Sequence, residues 1–92
     1  MKAMKTYEIN VYGTVQGVGF RAYVYDKAID LNIKGFVKNM YDGSVKIIAQ
    51  GYEQSIQLLI EYAKKGPIMA HVNDLVFTVI EESEIYNSFD IN

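Results

Sequence analysis

Cysteine is absent from all 92 residues. Its absence removes disulfide staples, thiolate nucleophiles and Cys-ligated zinc together, and it fits a reducing compartment. Long apolar runs are missing as well. The start, Met1 to Tyr7, carries lysines without the apolar stretch that opens a secreted chain, and nothing approaches the roughly 20 apolar residues needed to span a bilayer. The expectation is a soluble cytoplasmic protein with no membrane contact. There is no excess of positive charge either: nine basic against eleven acidic residues leave a net charge of -2, which offers no broad attraction to DNA or RNA. Any anion bound should be small and locally held. The single histidine, His71, enters a strand far along the chain from the glycine-rich segment described below, so a histidine general base is not indicated. Ser44, Ser55, Ser83 and Ser88 lack a Gly-x-Ser-x-Gly context, which argues against a serine hydrolase. The acidic group Glu81, Glu82 and Glu84 reads as a solvated turn rather than a metal site.

Apolar side chains, by contrast, are plentiful. Half the residues are hydrophobic, and eight Tyr and four Phe contribute to a 13% aromatic content, enough for a core at this length. Two domains would each be too small to bury a sufficient core, so residues 1–92 are expected to form one. Thr6 to Tyr12 alternate, with Tyr7, Ile9 and Val11 on one face, as a half-buried strand does. Phe20, Val24, Ala28 and Leu31 recur at helical spacing. Ile33 to Asn39 reads as a strand, Met40 to Gly43 as a tight turn around Asp-Gly, and Ser44 to Gln50 as the returning strand, with Gly51 breaking the pattern. Ile56, Leu59, Ile60 and Ala63 mark a second amphipathic helix stopped at Gly66-Pro67. Val72 to Ile80 has strong β propensity, and Tyr86 to Ile91 reads as a short last strand. The tyrosines are expected to cover the core and the sheet.

The order βαββαβ, with a possible short fifth strand, predicts a ferredoxin-like α+β sandwich: two helices on one face of an antiparallel sheet. Right-handed crossovers make the first two strands parallel. Their C-terminal ends then share one end of the sheet, which brings the segment after the first strand toward Asn39.

That segment, Gly13-Thr14-Val15-Gln16-Gly17-Val18-Gly19-Phe20-Arg21, precedes a helix with no Ser, Thr, Asp or Asn cap. Its first N-H groups need another acceptor. Glycines let a loop turn its own N-H groups inward, and the helix start adds about half a positive charge, so a phosphate fits as the missing partner. Arg21 can add a bidentate fork. The loop lacks the Gly-Lys-Ser/Thr of a nucleoside triphosphate loop and the acidic partner of a dinucleotide site. Read alone, it leaves open a plain βα connection with a solvated arginine, and Asn39 beside Asp42-Gly43 leaves open a turn-forming asparagine.

Together the two segments resemble the acylphosphatase family over nearly the whole chain. The first signature reads Val11-x-Gly13-x-Val15-Gln16-Gly17-Val18-x-Phe20-Arg21. The second reads Gly35-Phe36-Val37-Lys38-Asn39, then Gly43-x-Val45 and Gly51. Weaker likeness continues in Gly66-Pro67, Ala70-x-Val72 and Phe89-x-Ile91. The resemblance implies hydrolysis of acyl phosphates to a carboxylate and inorganic phosphate, without metal or cofactor; the chain is expected to act as a monomer. It implies that Arg21 and the N-H groups of Val15, Gln16, Gly17, Val18, Gly19 and Phe20 hold the phosphate, and that Asn39 orients the attacking water. Three positions depart from the family pattern. Gly19 stands where some members carry a larger residue, Met40 where several carry a hydroxyl, and Asn92 where some brace the loop with a charged or aromatic group.

Two rival readings share this sequence pattern. RNA-recognition modules have the same strand order and display aromatics on the open sheet face, a placement that suits Phe36 and Tyr12; but the third strand, Val45-Lys46-Ile47-Ile48-Ala49, lacks their aromatic signature. The alternative within the resemblance is an acylphosphatase-like phosphate-binding or accessory module with little turnover, as found in larger carbamoyl-transfer enzymes.

Overall fold

The computed structural model describes residues 4–81 and 84–92. The first three residues, Glu82 of the acidic group and Ser83 lie outside the described residues. Strands β1 (Met4–Thr14), β2 (Lys34–Asn39), β3 (Val45–Tyr52), β4 (His71–Val79) and β5 (Phe89–Ile91) alternate with helices α1 (Phe20–Asp30) and α2 (Glu53–Lys65). They form one sheet in the order β4-β1-β3-β2-β5. Both helices cover a single face.

Alternation decides which face is covered. Tyr7, Ile9 and Val11 of β1, Val37 of β2 and Ile47 and Ala49 of β3 are buried against Phe20, Val24 and Ala28 of α1 and Ile56, Leu59, Ile60 and Ala63 of α2. Each large side chain so removed from water contributes about 1.5–3 kcal/mol toward folding. Helix α1 stops at Asp30, one residue before the expected stripe ends; Leu31 still packs against the core from the C-cap position.

β1 is antiparallel to β3, and β3 to β2. β1 and β2 therefore point the same way, and Thr14 and Asn39 end at the same end of the sheet. The sheet is mixed rather than wholly antiparallel, because β5 pairs in parallel with β2. Topology requires this. β4 runs against β1 and finishes beside Tyr7, at the end away from Thr14, and the chain then crosses to the β2 edge. Starting there, β5 can only run in the direction of β2, which delivers Ile91 and Asn92 to the end where Asn39 lies. The last strand is also shorter than expected, because residues 84–87 cross the open face before the Ser88 carbonyl meets the Gly35 N-H at 2.9 Å. Gln50 pins this crossing: its Nε2 donates to the Glu84 carbonyl at 2.9 Å and to Thr6 Oγ1 at 3.0 Å, and its Oε1 accepts from the Tyr86 N-H at 2.9 Å.

Two sequence expectations change. Gly51 does not break β3; it pairs with Lys5, and the strand continues to Tyr52. A Cβ there would meet Ile33 at 3.5 Å, an ordinary contact, so neither space nor backbone conformation interrupts the strand at this residue. The tyrosines do not all serve as cover. Tyr7 is buried, but Tyr41 projects fully into solvent from the β2–β3 turn. Phe36 meets Tyr86 edge-on with ring centroids 6.1 Å apart, so the crossing segment claims the ring that an RNA-binding face would display.

Candidate active site

The loop starts at a bulge. Register between β1 and β4 shifts between Tyr12 and Gly13, and Gly13 has φ 130. A Cβ there would lie 2.2 Å from the His71 carbonyl oxygen, so only glycine lets the two backbones approach and turn the chain out of the sheet. Val15 and Phe20, both about 1% exposed, anchor the two ends of the loop in the core. Between them Gly17 (φ 74) and Gly19 (φ 80) take left-handed conformations, and Gly19 is the residue before α1. No side chain caps α1, and its first turn holds no acidic residue. The first internal helical bond runs from the Tyr23 N-H to the Gly19 carbonyl, at 3.1 Å, which leaves the preceding N-H groups directed out of the helix end.

These N-H groups border a cavity of about 210 Å³ lined by Val15, Gly17, Gly19, Phe20, Arg21, Ala22, Asn39 and Ile91. Its only charged side chain is Arg21. No carboxylate, imidazole or thiol lines it among the described residues. Arg21 Nη1 donates to the Asn92 carbonyl at 3.0 Å, while the Asn92 N-H donates to the Val37 carbonyl at 2.8 Å. The residue after β5 thus braces Arg21 through its backbone, where the charged or aromatic group that some family members use is missing. Asn39 closes β2 opposite Val45. Its Oδ1 is buried with no hydrogen-bond partner among the described residues. An acceptor removed from water in this way costs about 1–3 kcal/mol unless it receives a donor, and the Oδ1 belongs to a residue that lines the cavity.

Of the predicted site residues, Val15, Gly17, Gly19, Phe20, Arg21 and Asn39 come together at this cavity, and Gln16 and Val18 do not line it. Val18 packs partly buried against the core. The Gln16 side chain reaches the β2–β3 turn, donating to the carbonyls of Met40 at 2.8 Å and Ser44 at 2.9 Å. Sequence alone held no sign of this bridge, nor of Ile91 at the cavity. Gly19 has open space around its Cβ position, so its small size gives the conformation rather than clearance. Met40 enters the site's architecture through its backbone, which makes the missing hydroxyl immaterial to these bonds. His71 stands opposite Thr14 in the β1–β4 register, closer in space than its sequence position suggests, yet it is exposed and does not line the cavity.

The turn itself is held by Asp42, whose Oδ1 accepts from Ser44 Oγ at 2.6 Å and from the Ser44 N-H at 2.9 Å. These bonds to the ionised form hold the Asp42 carboxyl below the ordinary aspartate range.

Fold and cavity define a class: a ferredoxin-like α+β protein with a backbone-lined oxyanion site at the end of its sheet, one guanidinium and one amide. Comparison narrows the class to a family. The acylphosphatase family model matches residues 7–91. An acylphosphatase of Caldanaerobacter subterraneus subsp. tengcongensis is 42% identical over 87 residues, covering 95% of this chain and 97% of the relative. The crystal structure of acylphosphatase from Bacillus subtilis superposes with a TM-score of 0.92 at 38% identity, covering 98% of this chain and 99% of that one. The chain belongs to the acylphosphatase family, and its enzyme class is hydrolase. A structure of full-length HypF in its phosphate- and nucleotide-bound form also matches, with a TM-score of 0.88 at 29% identity, over 100% of this chain and 12% of that one. The fold therefore also serves as a module within a longer protein. Near-complete mutual coverage with acylphosphatases favours the hydrolase over the accessory reading.

Proposed function

We propose that the chain hydrolyses the carboxyl-phosphate bond of acyl phosphates, such as acetyl, carbamoyl or aspartyl phosphate, without metal or cofactor, and that Arg21, the loop N-H groups and Asn39 carry the reaction. The phosphoryl group sits in the cavity at the α1 start. There the N-H groups of the Val15 to Phe20 loop and the helix dipole meet its oxygens, and the Arg21 guanidinium neutralises it. The buried, unpartnered Oδ1 of Asn39 at this cavity is the observation that carries the reading. It accepts a hydrogen bond from a water, and the neutral amide does so without repelling the phosphate as a carboxylate would.

The water oxygen then bonds to phosphorus as the bond from phosphorus to the acyl oxygen breaks. The electrons of that bond leave with the carboxylate. The water's surplus proton passes to a phosphate oxygen, giving inorganic phosphate. A carboxylate is already a good leaving group, and phosphoryl transfer asks mainly for positioning and charge stabilisation. This accounts for a site that lacks a strong base. The cavity is complete within one chain, so the reading needs no partner subunit, and residues 1–92 act as one domain. No helix among the described residues is long and apolar enough to cross a membrane, and the cysteine-free composition suits work in the cytoplasm.

The test is phosphate release from acetyl or benzoyl phosphate in excess chelator. Wild type should turn over undiminished by the chelator, and folded Asn39→Ala should lose about a hundred- to a thousandfold in kcat, equivalent to about 2.7–4 kcal/mol. A folded wild type that binds phosphate yet releases none from either substrate would return the accessory-module reading.

A further inference from the structure

Gln16 falls within the phosphate loop, yet its side chain leaves the cavity and closes on the turn that follows Asn39. Both of its partners are carbonyl oxygens, Met40 O at 2.8 Å and Ser44 O at 2.9 Å. Carbonyls only accept, so the nitrogen end of the amide faces them and spends one N-H on each.

The two carbonyls occupy particular places. Met40 immediately follows Asn39, and Ser44 immediately precedes Val45, the partner of Asn39 in the last pair of the β2–β3 ladder. Within the turn each carbonyl already accepts one bond, Ser44 O from the Met40 N-H at 2.8 Å and Met40 O from the Gly43 N-H at 3.1 Å. A carbonyl has two lone pairs. Gln16 supplies the second donor to each, and both acceptors are then saturated. One amide therefore grips both sides of the residue pair that carries Asn39.

Each end of this bridge is rigid. Val15, next to Gln16, is locked in the core, and Ser44 is only 5% exposed and tied through its N-H and hydroxyl to Asp42. The partners lie 24 and 28 residues apart in the chain: the loop leaves β1, and the turn joins β2 to β3, which lies between β1 and β2 in the sheet. The Gln16 amide is a direct polar link between the phosphate cradle and the turn beside Asn39.

We propose that Gln16 is a positioning residue for hydrolysis: its side chain sets the distance and angle between the bound phosphoryl group and the Asn39 amide, so that the water held by Asn39 lies in line with phosphorus. The inference rests on the catalytic reading of Asn39 given above. Gln16 acts through Asn39, and its loss should leave phosphate binding intact while misplacing the water. A misplacement of about 1 Å is enough to cost on the order of a hundredfold in rate.

The experiment is a double-mutant cycle between Gln16→Met and Asn39→Ala, with acetyl phosphate as substrate and inorganic phosphate as competitive inhibitor. Gln16→Met fills nearly the same volume but has no donor. The expected result is a fall in kcat of about ten- to a hundredfold, with KM and the phosphate inhibition constant changed by less than about twofold. In the Asn39→Ala background the same substitution should cost nothing further, because there is no longer an oriented water to misplace. Should Gln16→Met not fold, Gln16→Glu serves in its place: it keeps the shape and, when ionised, faces the two carbonyls with acceptors only, so kcat should fall at least as far. Weakened phosphate affinity with additive losses in the cycle would overturn the proposal and make Gln16 a brace for the phosphate loop. Unchanged kcat in a folded variant would overturn it as well. Wild-type turnover by Asn39→Ala alone would instead locate the failure in the role given to Asn39, and this inference would fall with it.

Discussion

The two helices of this molecule begin in opposite electrostatic circumstances. Neither has a side-chain cap. Helix α2 starts after Tyr52 in an extended conformation and carries Glu53 in its first turn, with Lys5 Nζ 3.8 Å from that carboxylate. Its positive end is answered from within the chain. Helix α1 starts after the left-handed Gly19 with no acid in its first turn, and its N-H groups border the cavity that Arg21 and Asn39 complete. The difference shows how the fold reserves a site. Two helix starts of similar backbone potential are distinguished by whether sequence has already supplied the anion. Where none is supplied and a guanidinium is added, the helix start is left open to an external anion.

The sharpest way to break this contrast is to remove the added cation. Arg21→Gln should weaken acyl phosphate turnover, measured as kcat/KM, by roughly ten- to a hundredfold, in line with about 1.5–3 kcal/mol for a charge-assisted contact. It should also free Asn92, seen as faster amide exchange at the end of β5. A smaller change makes α1 resemble α2. Ala22→Glu puts a carboxylate in the first turn at the cavity wall, and inorganic phosphate should then bind about tenfold or more weakly, since like charges about 4 Å apart repel by on the order of 1–4 kcal/mol at the protein surface. Smaller again is the converse at α2. Glu53→Gln should cost about 0.3–1 kcal/mol in denaturant unfolding and leave kcat/KM unchanged, because nothing at that helix start meets substrate.

The smallest effect concerns pH. Asp42 has its carboxyl held below the ordinary aspartate range by Ser44. A depressed folded-state pKa adds stability above the unfolded value, near pH 4, and that contribution is lost as pH falls through the folded value. Wild type should therefore lose part of its stability on acidification below about pH 4. Asp42→Asn, measured by thermal unfolding across the same range, should flatten that slope without reversing it.

Much of this architecture is legible in the chain itself. The alternation of Tyr7, Ile9 and Val11, the stripe of Ile56, Leu59, Ile60 and Ala63, and the Asp42-Gly43 turn are local patterns set by periods of two and 3.6 residues and by backbone sterics. The cradle was legible for a related reason: three glycines before an uncapped helix leave N-H groups without acceptors, whatever the surroundings. Gly51 misled because glycine usually punctuates strands, whereas here it keeps its place in the β3 ladder opposite Lys5. The parallel β5 was illegible because its direction depends on where the chain crosses after β4. Ile91 could not be placed at the cavity until that crossing was known.

Sequence by itself thus determined the elements, the buried faces and the kinds of group offered to an anion: loop N-H groups, one arginine and one asparagine. Only the tertiary structure decided how those groups meet. The Oδ1 of Asn39 is buried at the cavity, and Arg21 is braced by the Asn92 carbonyl and the Gln16 amide closes on Met40 and Ser44, through contacts spanning 24 to 71 residues of chain. The physical reason is one of range. Helix and strand patterns act over a few residues, while burial of a polar atom and the pairing of a side-chain amide with a distant carbonyl exist only once the sheet has brought separate strand ends together.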